Sequence, residues 1–214
     1  MFGAVNSVFS GLAFAGVVYA IVLQREEVAM AKQEIDETRK ILEAQNDLTK
    51  SQQVCQTKQI FENTFFQTLQ LFVRLTSEMA LSDEPANDRL GKGVFKRYLQ
   101  EIISDNRPDE STIARYERFY ESRAHELGHY FRVLYNLVKL VHRSEIEEKR
   151  FYTNLIRANL SDDEVLILFL NGLSVRGHEN FKPLMEEYAL LKNIDKTHLL
   201  YSSSENTYAP SAFE

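Results

Sequence analysis

The sequence has no tryptophan, one cysteine, four prolines and eight glycines in 214 residues. The lone Cys55 excludes an internal disulfide and any zinc site built from several cysteines. Proline and glycine are absent from Gln24 to Gln59, so nothing there interrupts a helix. Basic residues are not in excess: Lys and Arg number 25 against 31 Asp and Glu, a net charge of −6. The chain as a whole therefore lacks the basic footprint of a nucleic-acid binder. There is no Gly-rich phosphate loop, since Lys92 follows Gly91 but GxxxxGK[ST] does not occur. No segment alternates as a strand would, and no internal repeat is seen. What is abundant is apolar: 44% hydrophobic residues, with 10 Tyr and 14 Phe, enough for a real core.

The most uneven absence is charge. Met1 to Gln24 contains no Asp, Glu, Lys, Arg or His. Phe2 to Leu23 is a run of 22 mostly apolar residues, interrupted only by Asn6, Ser7 and Ser10. About 20 such residues span a bilayer as a helix. A cleaved signal peptide would need a positive leading segment and a shorter apolar core. Ala13-Phe14-Ala15 imitates a cleavage site, but the apolar run continues to Leu23. A transmembrane anchor is therefore expected. Arg25, Lys32, Arg39 and Lys40 follow it and no cation precedes it, so the C-terminal bulk is expected in the cytoplasm. Ser7, Gly11 and Ala15 form a small-residue face at four-residue spacing, a common feature of such helices that could also let anchors pair.

Gln24 to Gln59 is rich in Glu, Gln, Lys and Ala, all good helix formers. Val28, Ala31, Ile35, Leu42 and Leu48 make a thin apolar stripe, which Gln45, Thr49 and Gln52 weaken. The expectation is a solvated helical stalk of roughly 50 Å, at about 1.5 Å per residue, that pairs weakly with copies of itself. Composition changes at Ile60. From there Phe61, Phe65, Phe66, Leu69, Phe72, Val73 and Met79 recur at helical spacing, and a folded domain begins.

Within that domain Ser82 to Gly93 reads as a loop, Val94 to Ser104 as a short helix, and Asp105 to Asp109 as a break around Pro108. Ser111 to His142 reads as one long helix, with Ile113, Tyr116, Tyr120, Leu127, Phe131, Leu134, Val138 and Val141 inward. A helix over Ser144 to Ala158 follows. Ser161-Asp-Asp-Glu164 is a capping box that opens a helix to Leu173, apolar nearly all round and so expected at the centre. Pro183 suits the first turn of a helix over Phe181 to Lys192. Residues 202–214 have the composition of a flexible tail.

Two catalytic patterns overlap on the long helix. His125-Glu-Leu-Gly-His129 matches H-E-x-x-H, in which paired histidines hold zinc and the Glu acts as general base. The extended form of that motif needs a Gly and a third His, where this chain has Arg132 and Tyr135. His142, Glu145 and Glu148 are available as a remote ligand, but nothing marks one out. Arg132 and Asn136 share the histidine face, and a fixed cation disfavours a divalent metal. The simpler reading is a polar helix face, with no metal and no cofactor. Arg123 and His129 also match the R-x(4–6)-H spacing of helical toxins of the HEPN ribonuclease class. There, a cation and a proton-transfer group act on a phosphodiester. Asn159-Leu-Ser161 matches a glycosylation acceptor, without meaning in a cytoplasmic segment.

Taken in order, several blocks resemble the AbiC-like phage abortive-infection family of bacteria. They are SGLAFAGVVYAIVLQREE, FENTFFQTLQLF, GKGVF, GHYFRVLYNLVKLV, YTNLIRANLSDDEVLILFLNGLS and FKPLMEEYALLKN. The resemblance covers His129, Tyr130, Phe131, Arg132, Leu134 and Tyr135. Further on it covers Tyr152, Arg157, Leu160, Ser161, Glu164 and Asn171, then Phe181, Lys182, Pro183 and Tyr188. His125 and Glu126 fall outside it. It implies a role in defence, in which an infected cell stops growing before phage is released, and it implies no settled reaction. The same aromatics and arginines also read as core and scaffold residues of a helical bundle.

The expected architecture is all-α: an anchor over 1–23, a helical stalk over 24–59, a cytoplasmic bundle of about six helices over 60–201, and a tail over 202–214. The leading function is a membrane-anchored anti-phage effector or sensor acting through the membrane, through its own copies and through a phage or host protein. The alternatives are an RNA-cleaving toxin using Arg123 and His129, and more distantly a zinc protease. Site candidates are His129, Arg132, Arg123 and Arg157, with Tyr130, Tyr135, Ser161 and Asn171 from the family-like blocks and His125 with His129 for a metal.

Overall fold

The computed structural model describes residues 2–79, 91–105, 107, 110–202 and 207–214. Most of the loop expected over Ser82–Gly93, and Pro108 in the expected break, lie outside the described residues. The chain divides into two compact units, Met1–Thr57 and Lys58–Glu214. Among the described residues all regular structure is helical, as composition and periodicity led one to expect.

Unit 1 consists of the first part of helix α1, Phe2–Glu78. Every side chain described in it is exposed. Val8, Leu12, Val17 and Ile21 are about half exposed or more, and Phe9 and Phe14 reach 67% and 70%. The segment is long and apolar enough to cross a membrane by length and composition.

Unit 2 contains the end of α1, where Phe61, Phe65, Phe72 and Thr76 are buried at spacings of four and seven. It continues through α2 (Gly93–Ser104), α3 (Thr112–Ser122), α4 (Ala124–Arg143), α5 (Lys149–Ala158), α6 (Asp162–Leu173), α7 (Lys182–Glu187) and the single turn α8 (Leu199–Ser202). A 3-10 turn, Pro210–Phe213, follows. Helix α6 packs on α2, α3 and α7, and Val165 to Leu170 are buried without a break. Each such side chain contributes roughly 1.5–3 kcal/mol on leaving water, so α6 is the axis of the unit. Its capping box forms as expected: Ser161 Oγ accepts from the Glu164 amide, and Glu164 accepts from the Ser161 amide.

Three expected elements are corrected. The single helix over Ser111–His142 is broken at Arg123 (φ −115°, ψ 16°), whose amide donates to Phe119 O and Tyr120 O. A straight helix would carry Arg123 on the core side between Tyr120 and Leu127. The break instead lets its guanidinium reach Glu101 and the Tyr98 ring on α2. The helix expected from Ser144 begins only at Lys149, after Ser144 caps α4. The helix expected over Phe181–Lys192 ends at Glu187, and the chain turns through Ala189 at φ 51°.

The expected flexible tail is also corrected for residues 207–214. Tyr208 is buried, and its hydroxyl donates to Phe169 O at 2.9 Å. The Leu191 amide donates to Ala212 O, and Lys192 Nζ to Glu214 O. A Cβ at Gly172 would lie 1.9 Å from Tyr208 Oη, so the close approach of this segment to α6 requires glycine there. The polar composition around Tyr208 and Phe213 concealed two aromatic anchors.

Candidate functional site

Helix α4 carries the densest set of candidates. Leu127, Tyr130, Phe131, Leu134, Leu137, Val138 and Val141 are its buried side. His125, His129, Arg132 and Asn136, spaced at four, three and four, occupy one exposed face. Among the described residues, His125, His129 and Arg132 make no hydrogen bond or ion pair, and no group of three potential metal ligands is assembled. Glu126, the acid of the H-E-x-x-H pattern, is taken by the Tyr98 hydroxyl of α2. Burial and this carboxylate together hold the Tyr98 hydroxyl well above the ordinary tyrosine range.

The arginine candidates point elsewhere. Arg123 Nη2 lies 3.2 Å from Glu101, and its guanidinium sits over the Tyr98 ring. Arg157 Nη1 donates to the carbonyl of Ala189 at 3.1 Å, pinning the left-handed turn after α7. Among the described residues no hydrogen bond or ion pair joins Arg123 or Arg157 to His129. Both arginines have partners within the fold: Glu101 and the Tyr98 ring for Arg123, the Ala189 carbonyl for Arg157.

Tyr130 is fully buried between Phe72 and Phe95, with ring centroids at 5.4 and 4.8 Å. Its hydroxyl donates to Glu164 Oε1 at 3.1 Å. Glu164 is itself fully buried, and its Oε2 receives the Ser161 amide and hydroxyl at 2.8 Å each. Lys92 Nζ stands 3.8 Å from the same oxygen and donates to Asn159 O. Burial raises the Glu164 carboxyl, although the Ser161 bonds, Lys92 and Tyr130 all pull the other way. Four elements thus meet on one carboxylate: the chain before α2, α4, the turn before α6, and α6 itself. The sequence named Tyr130, Ser161 and Glu164 separately. The GKGVF block held Lys92, but nothing in the sequence paired it with Glu164 or showed that the capping acid would be sealed in the core.

Asn171 plays a similar part at the other end of α6. Its Nδ2 donates to the buried Tyr116 hydroxyl at 3.1 Å, and its carbonyl accepts from Ser174 Oγ at 2.6 Å. A Cβ at Gly177 would come within 2.4 Å of that carbonyl, so only glycine lets the chain turn back there. Tyr135 is half-buried, edge-on to Phe181 at 5.6 Å, with Lys139 Nζ 4.9 Å from its centroid. His142 Nδ1 lies 3.0 Å from the Tyr188 hydroxyl and 3.3 Å from Glu187.

Residues 122–199 match the family model described as "putative phage abortive infection protein". Over that stretch the chain is similar to the phage abortive-infection family. The matched segment holds α4 to α7 and reaches the start of α8, so it contains the Tyr130–Ser161–Glu164 set and Asn171. It is narrower than the resemblance read from the sequence blocks, which began at the anchor. Several packing partners of the domain lie outside the match: Phe72 on α1, Lys92 and Phe95 at α2, and Tyr116 on α3. No curated protein and no solved structure is a significant match to the chain.

Proposed function

We propose that the protein is a membrane-anchored abortive-infection effector or sensor. It crosses the inner (cytoplasmic) membrane once, holds unit 2 in the cytoplasm, and acts through contacts with a phage or host protein. The observation that carries this reading is the charge-free apolar segment that opens unit 1, residues 1–24, with every described side chain exposed, in a chain whose residues 122–199 match a phage abortive-infection family. Monomeric soluble proteins rarely expose contiguous apolar surface on this scale, whereas a bilayer covers it. Arg25, Lys32, Arg39 and Lys40, which follow the segment, support the cytoplasmic orientation.

The partner-facing surface in this reading is the exposed row His125, His129, Arg132 and Asn136 of α4. Among the described residues its charged and imidazole side chains make no hydrogen bond or ion pair, while Leu127, Tyr130, Phe131 and Leu134 between them are buried. Tyr130, Glu164, Ser161 and Asn171 belong to the scaffold that fixes this face. Catalysis is not part of the proposal.

Cys55 makes the topology testable, because it is exposed and is the chain's only cysteine. A membrane-impermeant maleimide should leave it unlabelled in intact spheroplasts and label it after lysis. Extraction of the chain by alkaline carbonate, or labelling before lysis, would reject the anchored cytoplasmic arrangement.

A further inference from the structure

Thirteen residues from Arg25 to Lys58 are charged. Counting in sevens along this exposed helix, Val28, Ile35 and Leu42 fall on one seam position, a, and Ala31, Thr38 and Gln45 on the other, d. Continued through Thr49, Gln52 and Gln56, neither position ever holds a charge. The charges sit beside the seam in a definite order. Glu27 and Glu34 take the g positions, and Lys32 and Arg39 the e positions.

In a parallel, in-register pair each g residue faces the e residue five places later on the other helix. That sets Glu27 opposite Lys32 and Glu34 opposite Arg39, opposite signs each time. An antiparallel pair sets g beside g and e beside e, so Glu would meet Glu and cation would meet cation. Ala31, Glu34, Ile35, Thr38, Arg39 and Leu42 line one shallow groove on the helix, the seam and flank residues of a single stretch. Arg39 Nε now lies 3.3 Å from Glu43 on its own helix, with both side chains largely exposed, so it is free to bridge outward as well.

We infer that unit 1 forms a parallel, in-register, two-stranded coiled coil with a second copy of this chain. Val28, Ile35 and Leu42 supply the apolar seam, and the Glu27–Lys32 and Glu34–Arg39 pairs set direction and register. The polar seam beyond Leu42 keeps the pairing weak. Confinement to a membrane plane, the one point taken from the reading above, raises the local concentration that a weak pair needs.

The test is disulfide trapping of the full chain in cells, in a Cys55→Ser background. Thr38→Cys, on the seam, should oxidise to a linked dimer. Lys40→Cys, on the outer side, should link about tenfold less, because its Cα atoms would stand beyond disulfide reach. Adding Glu27→Lys and Glu34→Lys should reduce linking at residue 38 about tenfold. The further changes Lys32→Glu and Arg39→Glu should restore it. Equal linking at 38 and 40, no linking at 38, or indifference to charge reversal would overturn the pairing. Carbonate extraction of the same cells separates the two readings. A chain that is retained but does not link at 38 fails only as a coiled coil. A chain that links but washes off fails only as an anchored protein.

Discussion

At the scale of single residues, the candidates on α4 separate into those that hold the fold and those offered to solvent. Tyr130 and Glu164 belong to the first group. Tyr130→Phe keeps the packing against Phe72 and Phe95 but leaves one oxygen of a buried carboxylate without its donor. The expected cost is about 1–3 kcal/mol, read as a lowered denaturation midpoint in the near-ultraviolet signal of the tyrosines. Tyr130→Ala adds a cavity and should cost about 3–5 kcal/mol. His129→Ala and Arg132→Ala should each stay within about 0.5 kcal/mol of the parent. If these two variants also protect fully against phage, the exposed row is not the partner surface. Gly172→Ala tests the closing segment: it should expel Tyr208 and expose residues 207–214 to protease, and an unchanged digestion pattern would contradict the packing described.

At the scale of elements, α2 and α3 are tied by Arg118, which donates to Asp105 at 2.7 Å and to Glu110 at 2.5 Å. Hydrogen bonding to Arg118 is the main reason that both carboxyls are held below their ordinary range. A folded-state value below the unfolded one means stability present at neutral pH and lost as pH falls through the folded value. The parent should therefore lose stability below about pH 4 faster than Arg118→Met, in melts compared from pH 6 to pH 3. Parallel pH curves would remove this clamp from the account. Glu164 has the opposite sign. Burial raises its carboxyl, so through this group acidification favours the folded state.

The helices themselves were largely legible, and the reasons are local. The Ser161 capping box, the apolar run of α6 and Pro183 near the start of α7 are short-range signals with short-range causes. The break at Arg123 was not legible, because Tyr120 and Leu127 lie seven residues apart and a core stripe survives a small bend. The burial of Glu164 was hidden for another reason. An acid in a helix's first turn is ordinarily solvated, and its partner Tyr130 stands 34 residues away. The same distance problem hid Lys92 and the Tyr116–Asn171 bond, which spans 55 residues. Sequence blocks can mark such residues as a set, but only the fold says which of them touch.

At the scale of the whole molecule, the account joins a charge-free apolar segment at the start of α1 to a tightly sealed helical core that holds the match to the phage abortive-infection family. The central claim is that protection requires the anchor. Leu12→Arg with Val17→Arg puts two charges in the apolar segment, each costing about 2.5–3.5 kcal/mol at mid-membrane, and both positions are exposed, so no packing inside the chain is lost. The deciding measurement is phage yield and survival of infected cells carrying the intact chain or this double variant, with fractionation of both. The account predicts that the intact chain, in the membrane fraction, lowers phage yield while infected cells stop growing, and that the variant, folded but released, does not protect. A released variant that protects as well as the intact chain would contradict it.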